Sequence, residues 1–268
     1  MGKKENLYVN EFINYYIHLG IDKIFIYDDN DINTEKISDV IGNKYKNNVK
    51  IYENIKKKIL NQSDAFTDCY QNNDNKFDWF LMVDMDEYLF VVKDTLKGYL
   101  SRNIFSKCDF IKFHWLNPTD NELLHYDKRP LFERFKRPYK KSIFIKSIIR
   151  GNISKLKYWV HSPYESPINN VTCNNIGKII NYENINFESI NDINIRKAYI
   201  IHFNYKSTEE YIQKIKRGYS NWFGDKLNNF LNVKISDYFI DNKITKKKLD
   251  YFEKELKINL TRYKSMIK

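Results

Sequence analysis

Three carboxylates crowd one point of the chain: Asp84, Asp86 and Glu87. The run before them, Trp79 to Val83, is wholly apolar, and apolar residues resume at Tyr88. A short apolar run with such flanks reads as a buried strand, so the acids stand at a strand tip. Asp84 and Asp86 are two apart and share a side if the chain stays extended. Carboxylates this close repel one another unless a positive charge sits among them. A hard divalent cation carrying phosphate oxygens meets that need. The bland alternative is a solvated acidic turn. A second acidic tip, Asp28 and Asp29 before Asn30, follows the apolar stretch Ile21 to Tyr27.

The elements that must position these groups are readable in part. Val9, Phe12, Ile13, Tyr16 and Ile17 follow helical spacing, and Gly20 is a natural stop. Residues 21–27 and 49–55 read as strands, and 36–42 and 63–71 as helices. The alternation predicts a mostly parallel α/β sheet, with ligands beyond the carboxyl ends of its strands. Further on, 110–115, 142–149 and 199–205 look like strands. Residues 160–195 are polar and without period. Ser207 and Glu210 form a capping box for a helix whose buried stripe is Tyr211, Ile212, Ile215 and Tyr219.

The 268 residues are 42% hydrophobic and 16% aromatic, enough for a sizeable core. One main domain is expected over 1–220, with a basic, helical extension over 221–268. The net charge of +11 suits an anionic ligand, nucleic acid or an anionic membrane surface. Seven Lys/Arg and no acid lie between Arg134 and Arg150. Nucleic acid is disfavoured because no binding motif accompanies the charge. A nucleotidyltransferase would want a Gly-rich basic loop near the start, and none is present. Cys69, Cys108 and Cys173 show neither metal spacing nor a disulfide framework, which predicts a reducing compartment. With no apolar run near 18 residues and no signal peptide, a cytoplasmic protein is expected. It is expected at most to touch the inner face of the membrane.

Several blocks, in order, resemble glycosyltransferase family 92 and related family 2-like enzymes. They are Lys3 to Asn6, Glu11 to Gly20, Asp22 to Asp31, Trp79 to Leu89, Glu133 to Phe135, Lys141 to Arg150, His161, and Tyr199 to Gly218. The resemblance covers roughly residues 3–220. It implies a GT-A fold, a nucleotide-sugar donor (a UDP-sugar by preference), Mn²⁺ or Mg²⁺ at the Asp-x-Asp, and inversion at the anomeric carbon. The acceptor expected is a glycan or a lipid-linked sugar. Gln62 stands where the family often carries Arg.

The resemblance distributes roles among this chain's residues. Asp86 holds the metal, with His202 as a second ligand, although His202 by itself reads as a core or edge histidine. Asp84 is a further metal candidate or faces the ribose. Glu87 orients Asp86 or lies near the sugar. Asp28, Asp29 and Glu5 belong to the nucleoside side. For the general base that inversion needs, Asp120 and Glu122 in a loop-like stretch are candidates, and Glu133 is a third. His161 and the basic run 134–150 are candidates for phosphate. Trp115, Trp159 and Trp222 are candidates for sugar stacking. Leu249, Phe252 and Leu256 lie on one face of a basic helix, which suits either membrane contact or packing on the domain. An inactive, sugar-nucleotide-binding relative and a basic nucleic-acid-binding module are the alternatives.

Overall fold

The computed structural model describes residues 1–53, 55, 59–136, 139–165, 170–180, 194–218 and 227–267. Tyr219, Trp222 and Arg137 lie outside the described residues. The chain divides into two compact units, one of residues 1–116 and 141–202, the other of 117–140 and 203–268.

In the first unit, α1 (Val9–Leu19) buries Val9, Phe12, Ile13 and Tyr16. Gly20 closes it at φ 100°, a left-handed conformation that favours glycine. Strand β1 (Ile24–Tyr27) pairs in parallel with β2 (Val49–Tyr52), and α2 (Ile37–Val40) lies between them in sequence. Helix α3 (Gln62–Gln71) is capped by Asn61, whose side chain accepts the Asp64 N–H at 3.0 Å. Thus the strand–helix alternation of the first third is present.

The larger sheet runs β3 (Trp79–Leu81), β6 (Lys140–Arg150), β5 (Phe110–Asn117), β10 (Ala198–His202), β4 (Glu87–Val91). It is mixed: β10 is parallel to β5 but antiparallel to β4, and β3 is antiparallel to β6. Strand β9 (Thr172–Asn174) pairs with the first half of β5, and β10 with its second half. A two-residue β7 (Lys157–Tyr158) and β8 (Pro163–Glu165) form a small hairpin. Helix α4 (Leu96–Leu100) follows β4.

The cysteine reading is corrected here. Cys108 and Cys173 form a disulfide, with Cα atoms 5.8 Å apart. The parallel pairing of β5 with β9 sets Cys173 opposite Ile111, near Cys108, which lies just before the strand begins at Phe110. Pairing across 65 residues leaves no local spacing to read. The cysteine argument for a reducing compartment loses its basis. Cys69 is free and buried, and burial pushes its thiol up to about 12.

The second unit is helical: α5 (Leu131–Arg134), α6 (Thr208–Arg217), α7 (Leu227–Asp241), α8 (Lys246–Leu256) and α9 (Thr261–Lys264). The capping box closes as predicted: Ser207 Oγ accepts the Glu210 N–H at 3.3 Å, and Glu210 accepts the Ser207 N–H at 3.1 Å. Tyr211, Ile212 and Ile215 pack with Ile235, Tyr238, Leu249 and Phe252. Leu249 and Phe252 are fully buried and Leu256 packs against the same cluster. Of the two readings of the α8 stripe, packing on the domain holds, and the stripe offers no membrane face. Among the described residues, no helix is long and apolar enough to cross a membrane.

Candidate functional site

Asp84 and Asp86 do not lie on an extended strand. β3 ends at Leu81, and the chain turns, with the Glu87 N–H donating to the Asp84 carbonyl at 3.1 Å. The turn separates Asp84 from Asp86 in direction and puts Glu87 at the first position of β4, where it is buried. Glu87 Oε2 also accepts the Asp84 N–H at 3.0 Å, which fastens the turn.

Lys146 of β6 enters this turn from the strand that neighbours β3. Its side chain is fully buried, and its Nζ lies 3.2 Å from Asp84 Oδ2 and 3.4 Å from Glu87 Oε2. It also donates to the Val160 carbonyl at 2.6 Å. The other Asp84 oxygen accepts the Gln62 side-chain amide. Burial raises the Asp84 carboxyl, but the Lys146 ammonium outweighs it and holds the group below the ordinary aspartate value. Glu87 is pushed well above the ordinary glutamate value by burial, which Lys146 only partly offsets. Burial alone would lower Lys146; Asp84 and Glu87 reverse that and hold its ammonium charged.

His202 and Asp86 meet on the other side of the turn. His202 stands opposite Glu87 in the β10–β4 register, and its Nε2 is 3.5 Å from Asp86 Oδ1. Both side chains are buried. Trp115 of β5 packs edge-on against the His202 ring at 4.2 Å between centroids. Its indole N–H and Glu87 Oε1 are buried without a hydrogen-bond partner among the described residues. His161 Nδ1–H donates to the Ile145 carbonyl, 3.0 Å away, and the ring stacks on Phe144. Burial, reinforced by the nearby Lys146 charge, lowers its pKa to about 3, so the ring is neutral.

The structure thus brings Asp84, Asp86, Glu87 and His202 close together. Asp28 directly follows β1 and is buried, and both its oxygens are used locally: Oδ1 accepts Asn30 N–H and Oδ2 accepts Ile37 N–H, each at 2.8 Å. It shapes the turn into α2. Asp29 donates its N–H to the Gly2 carbonyl at 2.8 Å, and Glu5 is buried near the start of α1. Asp120, Glu122 and Glu133 belong to the helical unit. Asp120 is buried, and its carboxylate is engaged by Lys248 and the Tyr238 hydroxyl. Glu122 pairs with Lys243 at the surface, 3.4 Å away. Glu133 is exposed on α5, while its neighbour Arg134 is buried and pairs with Glu210 at 2.9 Å.

The basic run 134–150 is not one surface. Arg134 and Lys146 are buried in ion pairs, and Arg150 stacks on Trp79 at 4.2 Å while donating to the Phe105 and Cys108 carbonyls. Trp159 is half-exposed beside Tyr164. A cavity of about 1080 Å³ lies elsewhere in the first unit, lined by Phe25, Tyr27, Trp79 and Phe80; the Asp84–Glu87 turn takes no part in it. In the sequence Lys146 reads only as one member of the basic run 134–150, and its place between Asp84 and Glu87 is not foreseen there. Its only signal was a lysine inside the apolar strand run 143–149.

A carboxylate oxygen and an imidazole nitrogen 3.5 Å apart are donors suited to one divalent ion of the Mn²⁺ type. Among the described residues no cage of three or more His, Cys, Asp or Glu side chains is gathered. Other coordination positions would fall to phosphate oxygens and water. In α/β sheets ligands bind beyond the carboxyl ends of the strands, and this acid-lined turn follows the end of β3. A comparison with family models matches glycosyltransferase family 92 over residues 1–257. The chain belongs to glycosyltransferase family 92 and is a glycosyltransferase. A comparison with curated proteins finds no match.

Proposed function

We propose that the protein moves a sugar from a nucleotide-sugar, UDP-linked by preference, to a hydroxyl of a glycan or lipid-linked acceptor, with inversion. In that reaction the bond from C1 to the diphosphate breaks, the acceptor oxygen bonds to C1, and the acceptor proton passes to a base. The observation that carries the reading is the Asp86–His202 pair beside the Asp84–Glu87–Lys146 cluster. A divalent ion held by Asp86 and His202 would act as a Lewis acid on the leaving diphosphate. Asp84, fixed by Gln62 and Lys146, would sit on the ribose side. Trp115, packed edge-on against His202, would keep that ring in place.

The test is thermal denaturation with UDP- and GDP-sugars, with and without Mn²⁺. A UDP-sugar with Mn²⁺ raises Tm, and Asp86→Ala removes the shift. Absence of metal-dependent binding of any nucleotide-sugar would refute the proposal.

A further inference from the structure

The deeper question at this site is why an acid cluster suited to a cation already contains one. Lys146 is not a surface lysine that has strayed inward. Its side chain is wholly buried, and its three ammonium donors have three acceptors: the Val160 carbonyl at 2.6 Å, Asp84 at 3.2 Å and Glu87 at 3.4 Å. Its charge lies over the Phe66 ring at 5.4 Å, which closes that side to water. Asp84 is held from both directions, by Lys146 on Oδ2 and by the Gln62 amide on Oδ1. Asp86, one residue past the middle of the turn, faces His202 instead.

The cluster is thereby split into two halves. One half, Asp84 and Glu87, has a built-in monovalent counter-ion. The other half, Asp86 and His202, has two donors suited to an external ion. An ammonium held against Asp84 both occupies its oxygen and repels a second cation nearby.

We propose that Lys146 is a positioning residue that withholds Asp84 and Glu87 from the divalent ion, limiting the protein's own share of the cation site to Asp86 and His202. The protein alone then binds a divalent ion weakly, and firm binding needs the diphosphate oxygens of the donor. Cation and donor enter as one unit. This rests on the metal-dependent reading above, but the two fail in different experiments.

The test uses the full chain and Mn²⁺ alone, with free Mn²⁺ followed by electron paramagnetic resonance. Lys146→Met removes the charge while keeping most of the side-chain volume. Because it leaves buried Glu87 without its cation, the same step is also made in a Glu87→Gln background, where no buried glutamate charge is stranded. Removal of Lys146 is expected to tighten Mn²⁺ binding by at least about tenfold in either background that folds. Adding Asp84→Asn to Lys146→Met is expected to cancel the gain, since Asp84 is the ligand released. A lysine with only a structural role would leave Mn²⁺ affinity unchanged or lower it. Unchanged or weaker binding in folded Glu87→Gln/Lys146→Met would overturn the inference. Failure of the metal-dependent reading would appear separately, as no Tm response of the wild-type protein to any nucleotide-sugar with Mn²⁺.

Discussion

Asp120 is the residue on which a structural and a catalytic role make opposite predictions. Its carboxylate is buried in the helical unit, where Lys248 Nζ and the Tyr238 hydroxyl both reach Oδ2 and the Glu122 N–H reaches Oδ1 at 2.9 Å. The Asp120 N–H is itself held by Asn242 at 2.6 Å. The side chains of Asp120 and Lys248 are 2% and 3% exposed. Asp120→Asn keeps the shape but strands the Lys248 ammonium without a counter-charge. Breaking one partner of a buried ion pair costs about 3–5 kcal/mol. For a chain of this size that lowers Tm by roughly 6–20 °C. The companion variant Asp120→Asn/Lys248→Met removes the stranded charge and should recover at least half of the loss. Urea denaturation read by tyrosine and tryptophan fluorescence measures both. The reasoning fails if Asp120→Asn stays within about 0.5 kcal/mol of wild type, the usual scatter of surface changes. It also fails if the double variant recovers nothing. Loss of transferase activity at unchanged stability would instead make Asp120 the base.

Two further outcomes follow from groups already described. His161 is held neutral with a pKa of about 3 in the fold, against 6.5 in the unfolded chain. Its contribution is present above pH 6.5 and is lost as pH falls, by about 1.4 kcal/mol per pH unit between those values. The difference in unfolding free energy between wild type and His161→Gln should therefore shrink from pH 7 to pH 5, and a constant difference contradicts this. The Cys108–Cys173 disulfide closes a loop of 65 residues, so Cys108→Ser/Cys173→Ser should lose about 4 kcal/mol in urea titration. An unchanged midpoint would show that the link does not restrict the unfolded chain.

Local signals were the legible ones. The α1 stripe and Gly20, the β1 and β2 runs, the Asn61–Gln71 region and the Ser207–Glu210 box depend on neighbours within a turn or two, and each formed where its pattern lay. The acids and His202 were legible as chemistry, yet their geometry was not. The turn at Asp84–Glu87 depends on a backbone hydrogen bond that an apolar run followed by acids does not encode. Lys146 was concealed because its partners come from residues about 60 positions away, and a run of lysines and arginines ordinarily means a solvated face. Asp120 looked like a loop acid because its cation, Lys248, arrives only when α8 packs.

The discontinuous make-up of the helical unit limits how such a protein can be cut or recombined. Residues 117–140 contribute Asp120, Leu131, Arg134 and Phe135 to it, all buried, and their partners Lys248, Tyr238 and Glu210 come from after residue 203. A chimaera that exchanged only residues 203–268 with another enzyme would strand the buried charges of Asp120 and Arg134 in the retained segment 117–140. Exchanging the helical unit by gene fusion must therefore move both segments together, as a matched pair of cassettes on either side of β6 to β10.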